Sequence, residues 1–193
     1  MLRLIAKLMT LSVIAFLPGC GGYRTGDPLV AALAPPPQDI EDWEGVPRLS
    51  RVGNVLFAGQ PTEEGFRVLA ERGVTVVINL RPDAEMQRAV EFDEPALVES
   101  LGMEYVHIPM TPATFSADDV ARLKAVIYRP GAIPEERFRF VIHCRSSNRC
   151  GALWAAFLHD DYGFDESKAI QYGKSAGLRS ESMIEATKRV IND

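Results

Sequence analysis

The sequence predicts an α/β fold in which helices flank a mostly parallel central sheet. Short apolar runs alternate along the chain with segments whose apolar residues recur at helical spacing, which is typical of strands and helices in succession. The run at residues 74–80 is apolar and β-branched, as in a parallel strand covered on both faces. With 47% hydrophobic and 24% charged residues in a length of 193, the composition is that of a globular protein with a sizeable core.

The individual elements can be predicted in chain order from local signals. Residues 52–58 predict a strand, and Thr62 then caps a helix that Gly73 ends. After the strand at 74–80, Pro95 begins another helix and Gly102 closes it. The remaining predicted elements are a strand at 105–109, a helix opened by Ser116, a strand at 138–142, a helix after Gly151, and helical stretches near 166–172 and 180–190.

The first 19 residues have the layout of a secretory leader. Arg3 and Lys7 precede an apolar run at residues 8–17, which is too short to span a bilayer comfortably. The ending Leu-Pro-Gly-Cys20 resembles the bacterial lipoprotein signal, which implies cleavage before Cys20 and attachment of lipid to it. Plain secretion, with Cys20 lost or free, and an uncleaved anchor are the alternatives.

The residues after this signal predict the location of the protein and its domain organisation. Gly21 follows Cys20, and because no Asp stands there the resemblance favours an outer-membrane anchor, with the protein on the periplasmic face. Residues 20–47 are rich in Pro and Gly and predict a semi-rigid tether. Residues 48–193 are predicted to form one domain, held to the membrane by the lipid anchor.

Charge and residue spacing argue against several kinds of partner. The formal net charge is −5 and no basic cluster interrupts the sequence, so nucleic acid is not an expected partner. No Cys, His and Asp spacing resembles a metal site, and no glycine-rich nucleotide loop is present. The sequence therefore predicts neither a metal nor a cofactor.

The strongest chemical signal lies between the predicted strand at 138–142 and the helix that follows it. We call residues 144–149 the cysteine loop, because it begins with Cys144 and ends with Arg149. A loop that leads into a helix presents unpaired N–H groups and the positive end of the helix dipole, which bind anions and stabilise a thiolate. The guanidinium of Arg149 matches the oxygens of phosphate or sulfate. A buried structural thiol beside a solvated arginine is the alternative interpretation, but His143, Cys144 and Arg149 at one junction favour a functional site.

Four motifs resemble those of one bacterial family. They are Val-Leu-Phe-Ala-Gly-Gln-Pro at 55–61, the segment at 73–83, Tyr-Val-His-Ile-Pro at 105–109, and His-Cys-Arg-Ser-Ser-Asn-Arg at 143–149 followed by Leu-Trp at 153–154. In this order they are similar to the phosphatase-like domain of bacterial beta-lactamase hydrolase-like proteins, which is related to the cysteine-dependent, dual-specificity-type phosphatases. The resemblance covers roughly residues 48–175 and implies a hydrolase that acts on a phosphomonoester without a metal.

The resemblance also implies a role for each residue of the site. Cys144 would be the thiolate nucleophile that forms a phosphocysteine intermediate, and Arg149 would bind the equatorial phosphate oxygens. His143 would orient the cysteine loop and help to lower the pKa of Cys144. The residues implied in substrate binding are His143, Arg145, Ser146, Ser147, Asn148 and Arg81.

The chain departs from the family pattern at three positions in and beside the cysteine loop. Four residues separate Cys144 from Arg149, where ordinary tyrosine phosphatases have five, and many rhodaneses share the shorter loop. One alternative function is therefore a rhodanese-type sulfurtransferase that carries a persulfide on Cys144. Ser147 stands where the family usually has glycine, at a position that is a candidate for positive φ. Cys150 replaces the Ser or Thr that normally hydrogen-bonds the nucleophile.

A general acid is absent from the place where dual-specificity relatives carry it, the loop after the strand at 105–109. Asp118 is the favoured replacement and Asp83 is the other candidate. Loss of general acid catalysis typically costs about 10²–10⁴-fold in rate, so we expect weak activity or a preference for good leaving groups. The missing acid also suggests a further alternative, a non-catalytic module that binds anionic ligands.

Cys144, which begins the cysteine loop, and Cys150, which directly follows it, suggest redox chemistry. Neighbouring thiols tend to oxidise in the periplasm, so one hypothesis is a reversible disulfide between Cys144 and Cys150. The alternative is that Cys150 is a small packing residue in the first turn of the helix.

Overall fold

A computed structural model of the chain describes residues 35–128 and 139–193. Six strands form one sheet: β1 Gln38–Asp39, β2 Ser50–Val52, β3 Val55–Ala58, β4 Val76–Asn79, β5 Glu104–His107 and β6 Phe140–His143. The helices in the described ranges are α1 Glu63–Glu71, α2 Asp83–Ala89, α3 Glu94–Ser100, α4 Ala117–Ile127, α5 Asn148–Tyr162, α6 Glu166–Ser175 and α7 Glu181–Asn192.

The sheet has the strand order β1-β2-β3-β6-β4-β5. Strands β3, β6, β4 and β5 run parallel to their neighbours, whereas β1, β2 and β3 pair antiparallel. All residues of β3, β4 and β6 are buried, as expected for β-branched and aromatic strands that carry helices on both faces. The predicted α/β fold with a mostly parallel sheet is confirmed.

The boundary predicted between residues 47 and 48 is wrong, because the folded domain extends further upstream. Gln38 in β1 stands opposite Arg51 in β2, and Val46 is buried in the core. The predicted leader, Cys20 and the first part of the predicted tether lie outside the described residues, as does residue 138 of the predicted strand at 138–142.

Two apolar layers cover the sheet. On one face, α1 and α3 contribute Phe66, Leu69 and Val98 to a core cluster. On the other face, α4 to α7 pack around Trp154, whose ring centroid lies 5.1 Å from that of Phe57 in β3. None of the helices within residues 35–128 and 139–193 combines the length and apolar character needed to cross a membrane.

Helix α5, which follows the cysteine loop, is the most enclosed helix of the domain. Every residue from Cys150 to Leu158 is buried. A Cβ added to Gly151 would lie only 2.2 Å from the carbonyl oxygen of Gly173 in α6, so only glycine allows the two helices to approach this closely. The cysteine loop is therefore attached to an element that cannot shift without displacing the core.

Candidate active site

The cysteine loop leaves the carboxyl end of β6, between the loops that follow β3 and β4. His143, the last residue of β6, pairs in register with Ala58 of β3 and Asn79 of β4. Beyond the strand, Cys144 N–H donates to the carbonyl of Ala58 at 3.4 Å, and Ser146 forms an isolated bridge with Gly59. The loop thus joins a strand to a helix, as predicted, and it lies at the edge where open α/β sheets bind ligands.

The loop turns into α5 through Ser147, which has a φ of 66°. This left-handed conformation costs a non-glycine residue about 1–2 kcal/mol. The hydroxyl of Ser147 donates to the carbonyl of Ala176 at 2.8 Å, a contact that glycine could not make. The prediction of positive φ at this position is confirmed, and the hydrogen bond is the compensation that the serine supplies.

Cys144 lies at the floor of the loop and is 2% exposed. A hydrogen bond from the Cys150 thiol lowers the pKa of Cys144 to about 5, against the opposing effect of burial. The N–H groups of Ser146 and Arg149 and the charge of Arg149 lower it further. Donors from three residues therefore converge on one sulfur atom, and Cys144 is ionised at neutral pH.

Cys150 keeps its own proton and donates it in a hydrogen bond to the Cys144 thiolate. Burial, together with the hydrogen bond to Cys144, raises the pKa of Cys150 well above its ordinary value. Its Sγ also lies 3.3 Å from the carbonyl oxygen of Ile142 and 3.7 Å from that of Ala58, so the single S–H proton has three acceptors within reach, the Cys144 sulfur included. Both thiols are free in the structure, and the reversible disulfide stays a prediction.

Arg149 is held in place by Glu85, a residue that the sequence analysis did not identify. Its Nη2 lies 2.5 Å from Oε2 of Glu85, and its Nη1 donates to the carbonyl of Leu80 at 3.4 Å. The other oxygen of Glu85 accepts from Nε of Arg81 at 3.1 Å. One carboxylate thus bridges two guanidinium groups, of which Arg81 is buried and Arg149 is 17% exposed.

A second carboxylate, Glu94, organises the other side of the site. It is 1% exposed and accepts from Nδ2 of Asn79 at 2.9 Å and from Nε2 of Gln60 at 2.6 Å. Nε2 of the fully buried His143 lies 3.1 Å from its Oε1. Burial raises the pKa of Glu94, but His143, Gln60 and Tyr105 outweigh it and hold the pKa below its usual value.

The two carboxylates belong to one continuous set of contacts. Oε1 of Gln60 accepts from Nη1 of Arg81 at 2.5 Å, and Oδ1 of Asn79 accepts from the N–H of Arg81 at 2.8 Å. We call Gln60, Asn79, Arg81, Glu85, Glu94 and His143 the buried network. The buried network connects His143, the residue before Cys144, with Arg149. It includes Gln60 from the motif at 55–61 and Asn79 and Arg81 from the motif at 73–83.

The remaining predicted substrate-binding residues of the loop differ in what their side chains do. Arg145 is exposed and Ser146 is half-buried, so both are accessible. The Asn148 side chain instead holds the segment that leads into α7, because its Oδ1 accepts from the N–H groups of Arg179 and Ser180 at 2.8 and 3.0 Å. Arg81 faces the buried network. The side chains of Asn148, Ser147, Arg81 and His143 therefore support the site from behind.

The structure does not bring either general-acid candidate into contact with the cysteine loop. Asp118 is exposed in the first turn of α4, and none of the contacts recorded within the described residues joins it to Cys144 or Arg149. Asp119 completes a capping box with Ser116. Asp83 is largely exposed and lies 3.6 Å from Nδ1 of His107. Within the described ranges, no group of three or more His, Cys, Asp or Glu side chains is placed to hold a metal ion.

Comparison with known proteins gives one family and a consistent set of relatives. The family model described as "Beta-lactamase hydrolase-like protein, phosphatase-like domain" matches residues 56–158, more than half of the chain. Two curated relatives, both named beta-lactamase hydrolase-like protein and both from strains of Xylella fastidiosa, are 26% identical over 142 residues and 30% identical over 103 residues. These alignments cover 65% and 52% of this chain, and the chain spans only 31% and 22% of the relatives' length.

Solved structures with the same fold include three cysteine-type phosphatases. TpbA from P. aeruginosa superposes with a TM-score of 0.59 at 16% identity, covering 81% of this chain and 89% of that one. Tk-PTP in its active form has a TM-score of 0.60 at 19% identity, with coverages of 78% and 99%. PTPMT1 in complex with PI(5)P has a TM-score of 0.55 at 17% identity, with coverages of 72% and 90%. At these identities the likeness establishes the fold.

Proposed function

The chain belongs to the family of phosphatase-like domains of beta-lactamase hydrolase-like proteins, and from this membership we propose that it is a cysteine-dependent phosphatase that hydrolyses a phosphomonoester. The family makes it a phosphatase-like hydrolase; the mechanism and the substrate are our proposal. One observation carries it: the Cys150 thiol, two loop N–H groups and the charge of Arg149 converge on Cys144.

In this mechanism the Cys144 thiolate attacks the phosphorus atom and forms a phosphocysteine, while the ester oxygen leaves with a proton. Water then attacks the phosphocysteine, inorganic phosphate is released, and the thiolate is restored. The N–H groups of the loop and the guanidinium of Arg149 would stabilise the charge on the equatorial oxygens in both steps. Glu85 supports this role because it fixes the direction from which Arg149 enters the site.

The mechanism also needs a proton donor for the leaving group. We propose Asp118, because its exposed carboxylate has no ion-pair partner among the described residues, whereas that of Asp83 lies 3.6 Å from His107. Asp118→Asn and Asp83→Asn are compared on aryl phosphates whose leaving groups differ in pKa. The general acid is the residue whose loss slows poor leaving groups more than good ones; equal effects of both changes on all substrates would contradict this assignment.

A sulfurtransferase is the second candidate, because four residues rather than five separate Cys144 from Arg149. The full chain, Cys144→Ser and Arg149→Ala are assayed with an aryl phosphate and, separately, with thiosulfate plus cyanide. We expect turnover of the aryl phosphate that both substitutions abolish. Turnover of thiosulfate alone would replace the phosphatase by a sulfurtransferase, and turnover of neither would leave the non-catalytic anion-binding module.

The titles of two solved structures suggest substrates for this assay. A TpbA variant was solved in complex with pTyr, and PTPMT1 with PI(5)P, so a phosphotyrosine peptide and a phosphoinositide sample two classes of phosphomonoester. We also propose attachment to the periplasmic face of the outer membrane through lipid on Cys20. Release of a Cys20→Ser variant from the membrane fraction is the expected result; retention of the variant would contradict the lipid anchor.

A further inference from the structure

A pocket of about 400 Å³ opens beside the cysteine loop. Its walls come from three places: the β1–β2 region, residues Ser146 and Ser147 of the loop, and the connection between α6 and α7. The volume is in the range of sites that hold small molecules. Neither Cys144 nor Arg149 lines it, so the pocket would hold a part of the ligand other than the phosphoryl group that reacts.

Ser146 joins this pocket to the nucleophile. Its N–H hydrogen-bonds the Cys144 thiolate, and the same residue lines the pocket. Neighbouring Cα atoms are about 3.8 Å apart, so the pocket begins within one or two residue lengths of the reacting sulfur. A substituent on the alcohol of a bound phosphomonoester therefore has the pocket within its reach.

The lining contains three cations that form no ion pair with the described residues. Arg48, Lys174 and Arg179 are exposed, and among the residues that the structure describes no ion pair engages them. Arg179 donates one N–H to the carbonyl of Gly177 at 3.0 Å, and its guanidinium has further donors available. Arg48 has a φ of 56°, a conformation that costs an arginine energy and that is often found where a ligand is clamped.

The same pocket also contains acceptors for hydroxyl groups. Asp39 and Asp42 line the wall that β1 and its following loop provide. One oxygen of Asp42 accepts from the N–H of Leu49 at 2.9 Å, which fixes the carboxylate and leaves its other oxygen available. Three cations and two carboxylates in one cavity match a ligand that carries an anionic group and hydroxyl groups together.

The wall formed by the α6–α7 connection is fastened to the cysteine loop. The N–H of Arg179 donates to Asn148 Oδ1 at 2.8 Å, and the Ser147 hydroxyl reaches the carbonyl of Ala176 at 2.8 Å. A Cβ on Gly177 would lie 2.7 Å from Cβ of Ser147, so the two segments are in close contact. The position of Arg179 relative to the loop is thus set before any ligand binds.

We propose that this pocket is a second subsite of the phosphatase site, and that it takes the second anionic group of a phosphorylated polyol. The inference rests on the proposed function for the chemistry at Cys144, and it adds the class of substrate: a hydroxylated alcohol with two anionic groups, as in a sugar bisphosphate.

Binding to a protein that cannot turn over separates the subsite from the reaction. The full chain with Cys144→Ser is titrated by calorimetry with glucose 1,6-bisphosphate and with glucose 6-phosphate at one ionic strength. We expect the bisphosphate to bind about tenfold more tightly or better, as one additional charge-assisted hydrogen bond provides. Adding Lys174→Gln or Arg179→Gln removes this preference, and both positions are exposed, so the melting temperature is expected to stay unchanged.

The control is Lys188→Gln, which removes one half-exposed positive charge on α7 outside the pocket. Equal binding of the two sugars, or a preference for the bisphosphate that survives both pocket substitutions, would overturn the subsite. Hydrolysis is measured separately with the wild-type chain. A preference that both pocket substitutions remove, in a protein that hydrolyses neither sugar nor any aryl phosphate, supports the subsite and rejects the proposed phosphatase.

Discussion

Glu94→Gln is the substitution that tests the buried network most directly. Glu94 is 1% exposed, and its two oxygens serve Asn79, Gln60 and His143. Glutamine keeps the shape but removes the charge and replaces one oxygen by an NH₂ group. Whichever way the new amide turns, that NH₂ group faces a donor: Nε2 of Gln60 on one side, or Nδ2 of Asn79 on the other.

The size of the effect follows from this geometry. A hydrogen bond to a charged group is worth about 1.5–3 kcal/mol, and the donor left without its acceptor in Glu94→Gln remains desolvated. Domains of this kind are stable by about 5–15 kcal/mol, so the loss is a large fraction of the total. For chains of about 150–250 residues, 1 kcal/mol corresponds to roughly 2–4 °C in melting temperature. We therefore expect Glu94→Gln to lower the Tm by roughly 3–12 °C.

The assay is thermal and urea unfolding at neutral pH, with Glu64→Gln as the matched control. The side chain of Glu64 is 59% exposed and lies 3.7 Å from Arg67, a surface pair worth about 0.2–1 kcal/mol. If Glu94→Gln unfolds at the same temperature and the same urea concentration as this control, the charge of Glu94 is not needed for stability and the reasoning fails.

The pH dependence of stability gives a second measurement on the same variant. The folded state holds the pKa of Glu94 below its ordinary value, so the contribution of its charge is fully present above that ordinary value. It is lost as the pH falls through the folded pKa. The difference in stability between the wild type and Glu94→Gln should therefore narrow in acid, and a difference that is independent of pH would point to packing rather than charge.

Four further changes test the cysteine loop. Glu85→Gln frees Arg149 and should lower kcat/KM for an aryl phosphate about 10²-fold, as misplacement by about 1 Å does; an unchanged value would refute its positioning role. Ser147→Gly should be more stable than Ser147→Ala by about 1 kcal/mol, because both lose the hydroxyl but only alanine is strained at positive φ; equal urea midpoints would contradict this. Cys150→Ala should move the acid limb of the pH–rate profile upward by about one to two units, whereas Cys150→Ser retains a donor and leaves it near 5; the same profile for both would exclude the hydrogen bond as the cause. Mild peroxide should oxidise Cys144 to the sulfenic acid, which condenses with the Cys150 thiol to a disulfide and water; two free thiols by mass spectrometry would reject this switch.

The fold was largely predictable because its signals are local. Helix caps such as Thr62 and Ser116 and the β-branched strands appear in consecutive residues, and the structure has them where the pattern predicted. Helix α2 was missed because Pro82 resembles a chain breaker, whereas a proline immediately before a helix is well tolerated. The strand predicted at 52–58 is divided by a turn at Gly53, whose φ is 54°.

The residues of the cysteine loop were predictable from the sequence, whereas the carboxylates that hold them in place were not. Cys144, Ser147 and Arg149 lie within six consecutive residues, so their proximity in the sequence alone brings them together. Glu85 and Glu94 are far from the loop in sequence and meet it only because β4 lies next to β6. The spacing of Arg81 and Glu85, four residues apart, was a signal for the ion pair that the structure contains, but it could be used only if helix α2 had been predicted.

The negative net charge of the chain is compatible with the proposed binding of an anion, because the carboxylates near the site already form ion pairs or hydrogen bonds with other side chains. Glu85 lies between Arg81 and Arg149, so these three groups together carry one net positive charge. This arrangement separates two effects of Glu85→Gln: the local charge becomes more positive, which favours binding of an anion, while Arg149 loses the contact that aims it. We therefore expect the substitution to lower kcat without raising KM. A rise in KM at constant kcat would mean that Glu85 acts on substrate binding alone, and the positioning argument would fail.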